Sequence, residues 1–307
     1  MTGGAGFVGS HLVDRLAIEG HDVFVLDNFS TGTTRNLSKV RRSRNVKIIR
    51  ADIRRISRSS LKRLRRVDRI CHLAALTSVQ ESIKDPIHTS DVNVIGTLRI
   101  LEAAQALRAE RVIFASSAAV YGSSETYPVT ETARLAPISP YGASKAASEL
   151  YCRSFEENHG IETLSLRYFN LYGPRQTSGE YSGVISIFAR RLIRGRPLTI
   201  FGDGSQTRDF MFVGDAVDGT IAALEKTIRS RVFNIASGKE TRILELAKTM
   251  QQIAGSPQGV GFNPPRRGDI SRSVADITRA QTELGFTPRT SLSDGLSTTI
   301  KWFAGAK

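Results

Sequence analysis

Glycines at positions 3, 6 and 9, directly ahead of a helical stretch, constrain this chain more than any other feature in it. In Thr2-Gly3-Gly4-Ala5-Gly6-Phe7-Val8-Gly9 the missing Cβ atoms permit a tight turn and let a pyrophosphate approach the backbone. His11–Glu19 then shows apolar residues at helical spacing and stops at Gly20, a residue suited to the position just past a helix end. The start of such a helix offers unpaired N–H groups and a partial positive charge to phosphate. Glycine-rich turns are common, so the triplet alone says little. Asp27 sharpens it by ending the next apolar run, DVFVLD, 18 residues past Gly9. A carboxylate there accepts hydrogen bonds from both hydroxyls of an adenosine ribose and repels a 2′-phosphate, which favours NAD over NADP.

The first half of the chain keeps a strand–helix rhythm. Asp22–Asp27, Val46–Ala51, Ile70–Leu73, Val112–Phe114 and Thr163–Leu166 read as short strands, with helical patterns around Val92–Leu107 and Lys145–Glu157. Alternation of this kind implies parallel pairing, so the fold class is α/β with a doubly wound parallel (Rossmann) sheet. After Asn170 the rhythm is lost, Gly, Pro and Arg become frequent, and the elements shorten. The division expected is a cofactor-binding domain over residues 1–170 and a smaller α/β substrate-binding part over 171–307, with about 209–237 returning to the first. No repeat or flexible linker separates the two, so they should pack together.

A hydrophobic content of 40% and a charged content of 23% are ordinary for a soluble globular protein. No apolar run approaches the roughly 18–20 residues of a membrane span, and the N-terminus lacks the basic start and apolar stretch of a signal peptide. Cys71 and Cys152, the only cysteines, lie in core-forming segments, which suggests reduced thiols and a cytoplasmic setting. The net charge of +14 is the unusual number, and much of it falls within residues 41–69. Basic residues there alternate with Val, Ile and Leu in strand and helix rhythm, and no aromatic residue interrupts them to stack on bases. The stretch therefore reads as a solvated face that also steers an anionic ligand, and no nucleic-acid or membrane partner is expected.

Tyr141-Gly142-Ala143-Ser144-Lys145 places Tyr and Lys four apart, on one face if the segment is helical. A nearby ammonium stabilises a phenolate and is expected to pull the tyrosine pKa towards neutrality. Upstream, Ser117 follows the apolar strand ending at Phe114, and a hydroxyl at the carboxyl end of a parallel strand faces the ligand crevice. A YxxxK spacing occurs often by chance. Glycine loop, Asp27, Ser117, Tyr141 and Lys145 in this order are far more specific.

TGGAGFVGSHL, HLAA (His72–Ala75), SSAAVYG (Ser116–Gly122), SPYGASK (Ser139–Lys145), LRYFNLYGPRQ (Leu166–Gln176), RRGDISRSVAD (Arg266–Asp276) and LGFTP (Leu284–Pro288) carry a resemblance along essentially the whole chain. It resembles the extended short-chain dehydrogenase/reductase family, and within it the UDP-glucose (UDP-galactose) 4-epimerases. The resemblance implies that Gly3, Gly6 and Gly9, with Phe7 and Val8, hold a pyrophosphate. Asp27, Asn28 and the turn Ser30, Thr31 and Gly32 would hold the adenosine, Asp52 and Ile53 would flank adenine, and Leu73, Ala74 and Ala75 would line the cofactor's path. Ser117, Tyr141 and Lys145 match the catalytic trio, and Phe169 sits beside the nicotinamide. Asn170, Val184, Thr199, Phe201, Arg208, Arg266 and Asp269 fall where the family holds UDP, and guanidinium forks such as those of Arg208 and Arg266 suit a diphosphate. Ser273, seven beyond Arg266, borders the sugar's 2-substituent; its small size leaves room for an N-acetyl group.

The resemblance thus implies NAD-dependent epimerisation of UDP-hexoses at carbon 4 through a 4-keto sugar, in a homodimer with no metal. The nearest alternatives are a 4,6-dehydratase or a decarboxylase of the same family, which need an extra acid where Ala118 and Ala119 stand. A non-catalytic NAD-binding regulator is suggested only by the charge. Two departures from the family stand out. Only Met1 and Thr2 precede the glycine loop, where members carry a whole apolar strand, so a start upstream is expected. Thr77 replaces a lysine often found there in bacterial epimerases.

Overall fold

The computed structural model describes residues 1–56, 64, 66–176, 183–265 and 270–305. Helix α1 (Phe7–Ile18) begins four residues before the apolar pattern does, because Gly6 caps it in an extended conformation and Gly9 lets its first turn fold down on the glycine loop. Strands β1 (Val23–Asp27), β2 (Val46–Arg50) and β3 (Arg69–His72) follow, with the helices α2 (Val79–Lys84), α3 (Pro86–Ser90) and α4 (Gly96–Ala106) after them. Residues Asp91–Ile95 form a π-helical turn that joins α3 to α4. Beyond β4 (Arg111–Ser117) comes the longest helix, α5 (Pro140–His159). Its sequence sets both ends: the Ser139 hydroxyl accepts the Gly142 N–H, Pro140 occupies the first turn, and Gly160 closes the helix at φ 67°.

Strand β5 (Glu162–Tyr168) pairs in parallel with β4, and β4 with β3. On the other side β1 pairs in parallel with β2. Thr2 joins the two halves, bridging Leu26 of β1 and His72 of β3. Its N–H donates to Cys71 O (2.9 Å) and its carbonyl accepts from Leu73 N (3.2 Å). Residues 1–3 thus hold the central position of one doubly wound sheet. The period of two along β4 sorts its side chains. Val112 and Phe114 join the core under α4 and α5, whereas Ile113 joins the core on the opposite face.

The remaining chain builds a smaller part from β6 (Asn170–Tyr172), α6 (Val184–Ile193), β7 (Leu198–Phe201) and β8 (Thr207–Phe212). It then leaves that part: α7 (Val213–Glu225) packs against α1, and β9 (Val232–Ile235) adds to the large sheet beside β5. It returns with β10 (Glu240–Arg242), α8 (Ile243–Ala254) and β11 (Val260–Asn263), sends α9 (Thr278–Leu284) back against α7 and β9, and ends with α10 (Leu292–Gly305). Strands β10, β8 and β6 form one small sheet and β11 with β7 another, over a core that includes Tyr172, Phe188, Leu198, Met250 and Leu296. No helix among the described residues is long and apolar enough to cross a membrane.

Candidate active site

The carboxyl ends of β1, β3, β4 and β5 open onto one cleft of about 820 Å3, inside the roughly 300–1,000 Å3 range of small-molecule sites. Gly3, Gly6, Phe7, Val8 and Gly9 form part of its wall. Gly3 has φ 67°, and a Cβ on it would lie 2.7 Å from Ala74 N; one on Gly9 would lie 2.1 Å from the Gly3 carbonyl oxygen. The loop is therefore closed to side chains, and it turns the unpaired N–H groups of the first turn of α1 to the cleft. Asp27, buried at the end of β1, accepts from Ala5 N at 2.9 Å through one oxygen and from Phe29 N at 2.8 Å through the other. Each oxygen keeps a second acceptor position for a ribose hydroxyl. Loop and carboxylate together fit a dinucleotide.

Asn28, Ser30, Thr31, Asp52 and Ile53 continue the same wall. Arg54, which the sequence reading passed over, also lines it and is held by Asp52 (2.7 Å) and Asp91 (2.8 Å). That guanidinium holds the Asp52 carboxyl down at about 2. Gly32 does not line the cleft. A Cβ there would meet Ala5 at 2.8 Å, so this glycine lets the turn pack beneath the glycine loop.

Leu73, Ala74 and Ala75 follow β3 along the floor. His72 beside them is 1% exposed, and its bonds assign its tautomer. The Thr97 hydroxyl donates to Asn93 O (2.5 Å) and so accepts from His72 Nε2 (3.0 Å), leaving Nδ1 to accept from the Thr2 hydroxyl (2.7 Å). Burial, helped by the Lys145 ammonium, lowers its pKa to about 3, so this imidazole stays neutral and structural.

Ser117 ends β4, and Tyr141 and Lys145 stand one turn apart on α5; all three line the cleft. The Ser117 hydroxyl accepts from Ala119 N at 3.2 Å and shares the cleft wall with the Tyr141 phenol. The expected pull of Lys145 on the tyrosine is not found. Burial raises the Tyr141 pKa, with only the Ser117 hydroxyl opposing it. The reason is where the ammonium goes: Lys145 Nζ donates to Ala115 O at 2.8 Å and lies 4.9 Å from the centre of the Phe114 ring. Burial brings Lys145 itself down to about 8.

Two buried residues outside the sequence reading hold this group. The π-helical turn carries Asn93, which accepts from Leu76 N (2.8 Å) and donates to Leu76 O (3.0 Å) and Ser144 Oγ (2.9 Å). Ser144 in turn donates to Tyr141 O (2.7 Å), so the loop after β3 is tied to the tyrosine's own backbone. Ser82 of α2 accepts the Tyr141 N–H at 3.1 Å. A π turn often marks a functional site, but only an asparagine at the start of an otherwise apolar helical pattern hinted at it.

Phe169, Asn170, Arg208 and Ser273 line the far end of the cleft. Val184 at the start of α6, with Thr199 and Phe201 on β7, lies outside the lining formed by the described residues. Arg266 and Asp269 fall outside the described residues.

Comparison with known proteins agrees with this geometry. The family described as NAD dependent epimerase/dehydratase matches residues 1–236. A UDP-glucose 4-epimerase of Mycolicibacterium smegmatis is 39% identical over 99% of this chain and 97% of its own length. A UDP-glucuronic acid decarboxylase 1 of Xenopus tropicalis is 36% identical over 99% of this chain and 72% of its own. Among solved structures, the UDP-N-acetylglucosamine 4-epimerase of Methanobrevibacter ruminantium, in complex with UDP-N-acetylmuramic acid, superposes with a TM-score of 0.95 at 36% identity, covering 100% of this chain and 97% of that one. With its glycine loop, ribose-ready carboxylate and Ser–Tyr–Lys set, the chain belongs to the NAD dependent epimerase/dehydratase family, within the extended short-chain dehydrogenase/reductases, and its cofactor is NAD.

Proposed function

We propose that this enzyme interconverts UDP-hexoses at carbon 4, UDP-glucose with UDP-galactose first among them. The observation that carries the reading is what stands beside the Ser–Tyr–Lys set. Ala118 and Ala119 form the turn after Ser117, and the only carboxylates lining the cleft among the described residues are Asp27 and Asp52, both at the adenosine end. Elimination of water or decarboxylation calls for an acid near the sugar, and among the described residues the cleft offers none there.

When bound, NAD supplies reversible hydride acceptance, the redox chemistry that inversion through a 4-keto sugar requires. The protein's own part is proton handling and placement. Tyr141, acting as the phenolate, takes the proton of the 4-hydroxyl and later returns it. Ser117 hydrogen-bonds the reacting oxygen, and Lys145 holds positive charge beneath the tyrosine. Phe169, at the inner end of the UDP wall, closes the cleft with an apolar ring, and Arg208 faces the diphosphate.

Incubation with UDP-glucose should yield UDP-galactose, with NAD released from acid-denatured protein. Release of carbon dioxide from UDP-glucuronate, a 4-keto-6-deoxy product, or a supernatant containing only NADP would sink this reading.

Ser273 bears on the sugar's 2-substituent. It lines the cleft half-buried, and its small side chain leaves space that an aromatic would fill. An open gate permits and does not select, so UDP-N-acetylglucosamine is expected to turn over at a rate comparable with UDP-glucose. Ser273→Tyr should depress the acetylated reaction alone. A wild type that ignores the N-acetyl sugar while converting UDP-glucose overturns this role for Ser273.

A further inference from the structure

Behind the catalytic trio lies an ion pair that the reaction as described leaves unused. Arg167 of β5 grips Glu149 of α5 through Nε to Oε1 at 2.9 Å and Nη2 to Oε2 at 2.6 Å, with both side chains about 95% enclosed (4% and 6% exposed). The Ser116 hydroxyl donates to the same carboxylate. Arg167 also donates to the Tyr121 hydroxyl (2.9 Å) and the Glu131 carbonyl (3.0 Å), and Tyr121 donates to Asn234 (2.6 Å). Replacing a buried pair of this kind with apolar residues is often neutral or stabilising, so stability alone does not account for it.

Its placement does. Tyr141, Lys145 and Glu149 follow one another at successive turns on one face of α5. Ser117 lines the cleft with the tyrosine, while its neighbour Ser116 on β4 meets Glu149. One carboxylate therefore joins the strand that presents the serine, the helix that presents the tyrosine and lysine, and the strand that runs on to Phe169 and Asn170. The titratable groups around Lys145 are Glu149, Cys152 and Tyr141 on α5 and His72 on β3. In the resting site burial favours the Cys152 thiol and the Tyr141 phenol, and His72 is neutral. Glu149 alone among them brings charge, with the Arg167 guanidinium of β5 as its counter-charge on the far side.

We propose that Glu149 is a positioning residue for the acid–base pair: anchored by Arg167 and Ser116, it sets α5 in register with Ser117, and its charge keeps Lys145 an ammonium. This rests on the reading of Tyr141 and Lys145 given above. The sign follows directly. A negative neighbour favours the protonated amine, so its removal lets the proton leave at lower pH, and a reaction that needs the ammonium loses rate sooner as pH rises.

The test is the titration of Lys145, read by NMR from the 13Cε shift in lysine-labelled protein and set beside the pH profile of kcat. In Glu149→Gln the Lys145 midpoint should fall by about one unit from its wild-type value near 8, and the high-pH limb of kcat should move with it. Glu149→Asp, which keeps the charge, should bring both back to wild type. If Arg167 left alone unfolds the amide variant, Glu149→Gln/Arg167→Met removes both charges and should lower the midpoint in the same direction by a smaller amount, because the guanidinium that opposes the ammonium goes as well. A Lys145 midpoint unchanged in the amide or the double variant overturns the proposal, even where kcat has fallen. The titration needs no turnover, so a wild type inactive on every UDP-hexose defeats the epimerase reading while the lysine shift still decides the role of Glu149.

Discussion

Tyr141→Phe should retain NAD and bind UDP-sugar as the wild type does, yet turn over about 10²–10⁴ times more slowly, the scale of a positioned proton-transfer group. That loss corresponds to about 3–5 kcal/mol of barrier. The substitution deletes one oxygen and little else. The Tyr141 N–H still reaches Ser82 and its carbonyl still accepts from Ser144, so the helix start stays in place. What goes is the phenol oxygen that stands one turn from Lys145 on α5 and shares the cleft wall with Ser117. Product formation from UDP-glucose, measured beside bound NAD, checks both halves. Wild-type turnover would remove Tyr141 from the chemistry, and loss of NAD would show that the variant had disturbed the cleft itself.

Gly9→Ala is expected to be nearly as severe by another route. A methyl group there would sit 2.1 Å from the Gly3 carbonyl oxygen and 2.8 Å from Gly4 Cα, contacts with backbone that cannot swing aside. The loop must open, at about 1–3 kcal/mol of stability for a packed site. Opening also withdraws N–H groups from the phosphates. At about 1.5–3 kcal/mol for each hydrogen bond to a charged group, losing even one or two weakens NAD binding by roughly 10²-fold. Calorimetry with NAD and a melting curve of the cofactor-free protein separate the two terms. Unchanged NAD affinity would mean that the loop does not hold the pyrophosphate.

The local signals in the sequence reached the structure closely. Glycines 3, 6 and 9, the run ending in Asp27 and the strand ending at Ser117 are read from neighbours a few residues away, and the structure assembles their elements at one end of a parallel sheet. What escaped is of longer range. Glu149 in a helix of many polar residues looks solvated until Arg167, 18 residues on, and Ser116, 33 residues back, are folded against it. Asn93 looks like a polar interruption until a π turn aims it at Leu76 and Ser144. The electrostatics of the YxxxK pair misled for a similar reason. Spacing puts an ammonium near a phenol, but nothing in the spacing reveals that the ammonium donates instead to the Ala115 carbonyl. Gly32 reads as part of a ligand turn and serves instead as clearance beneath Ala5.

The repeated passage of the chain between its two parts has a consequence for how the molecule comes apart. Strand β9 closes the large sheet beside β5, and α7 covers α1, although both follow residues that built the smaller part. Neither part owns a contiguous stretch of sequence. Cutting near residue 170 would strip the large sheet of an outer strand and expose Leu166 and Ile113 on the face that α7 covers. The two halves of the cleft are thus fastened as strands of one braid are. Melting one loosens the other, the pocket is lost in a single cooperative event, and neither half is free to be inherited or exchanged without its companion.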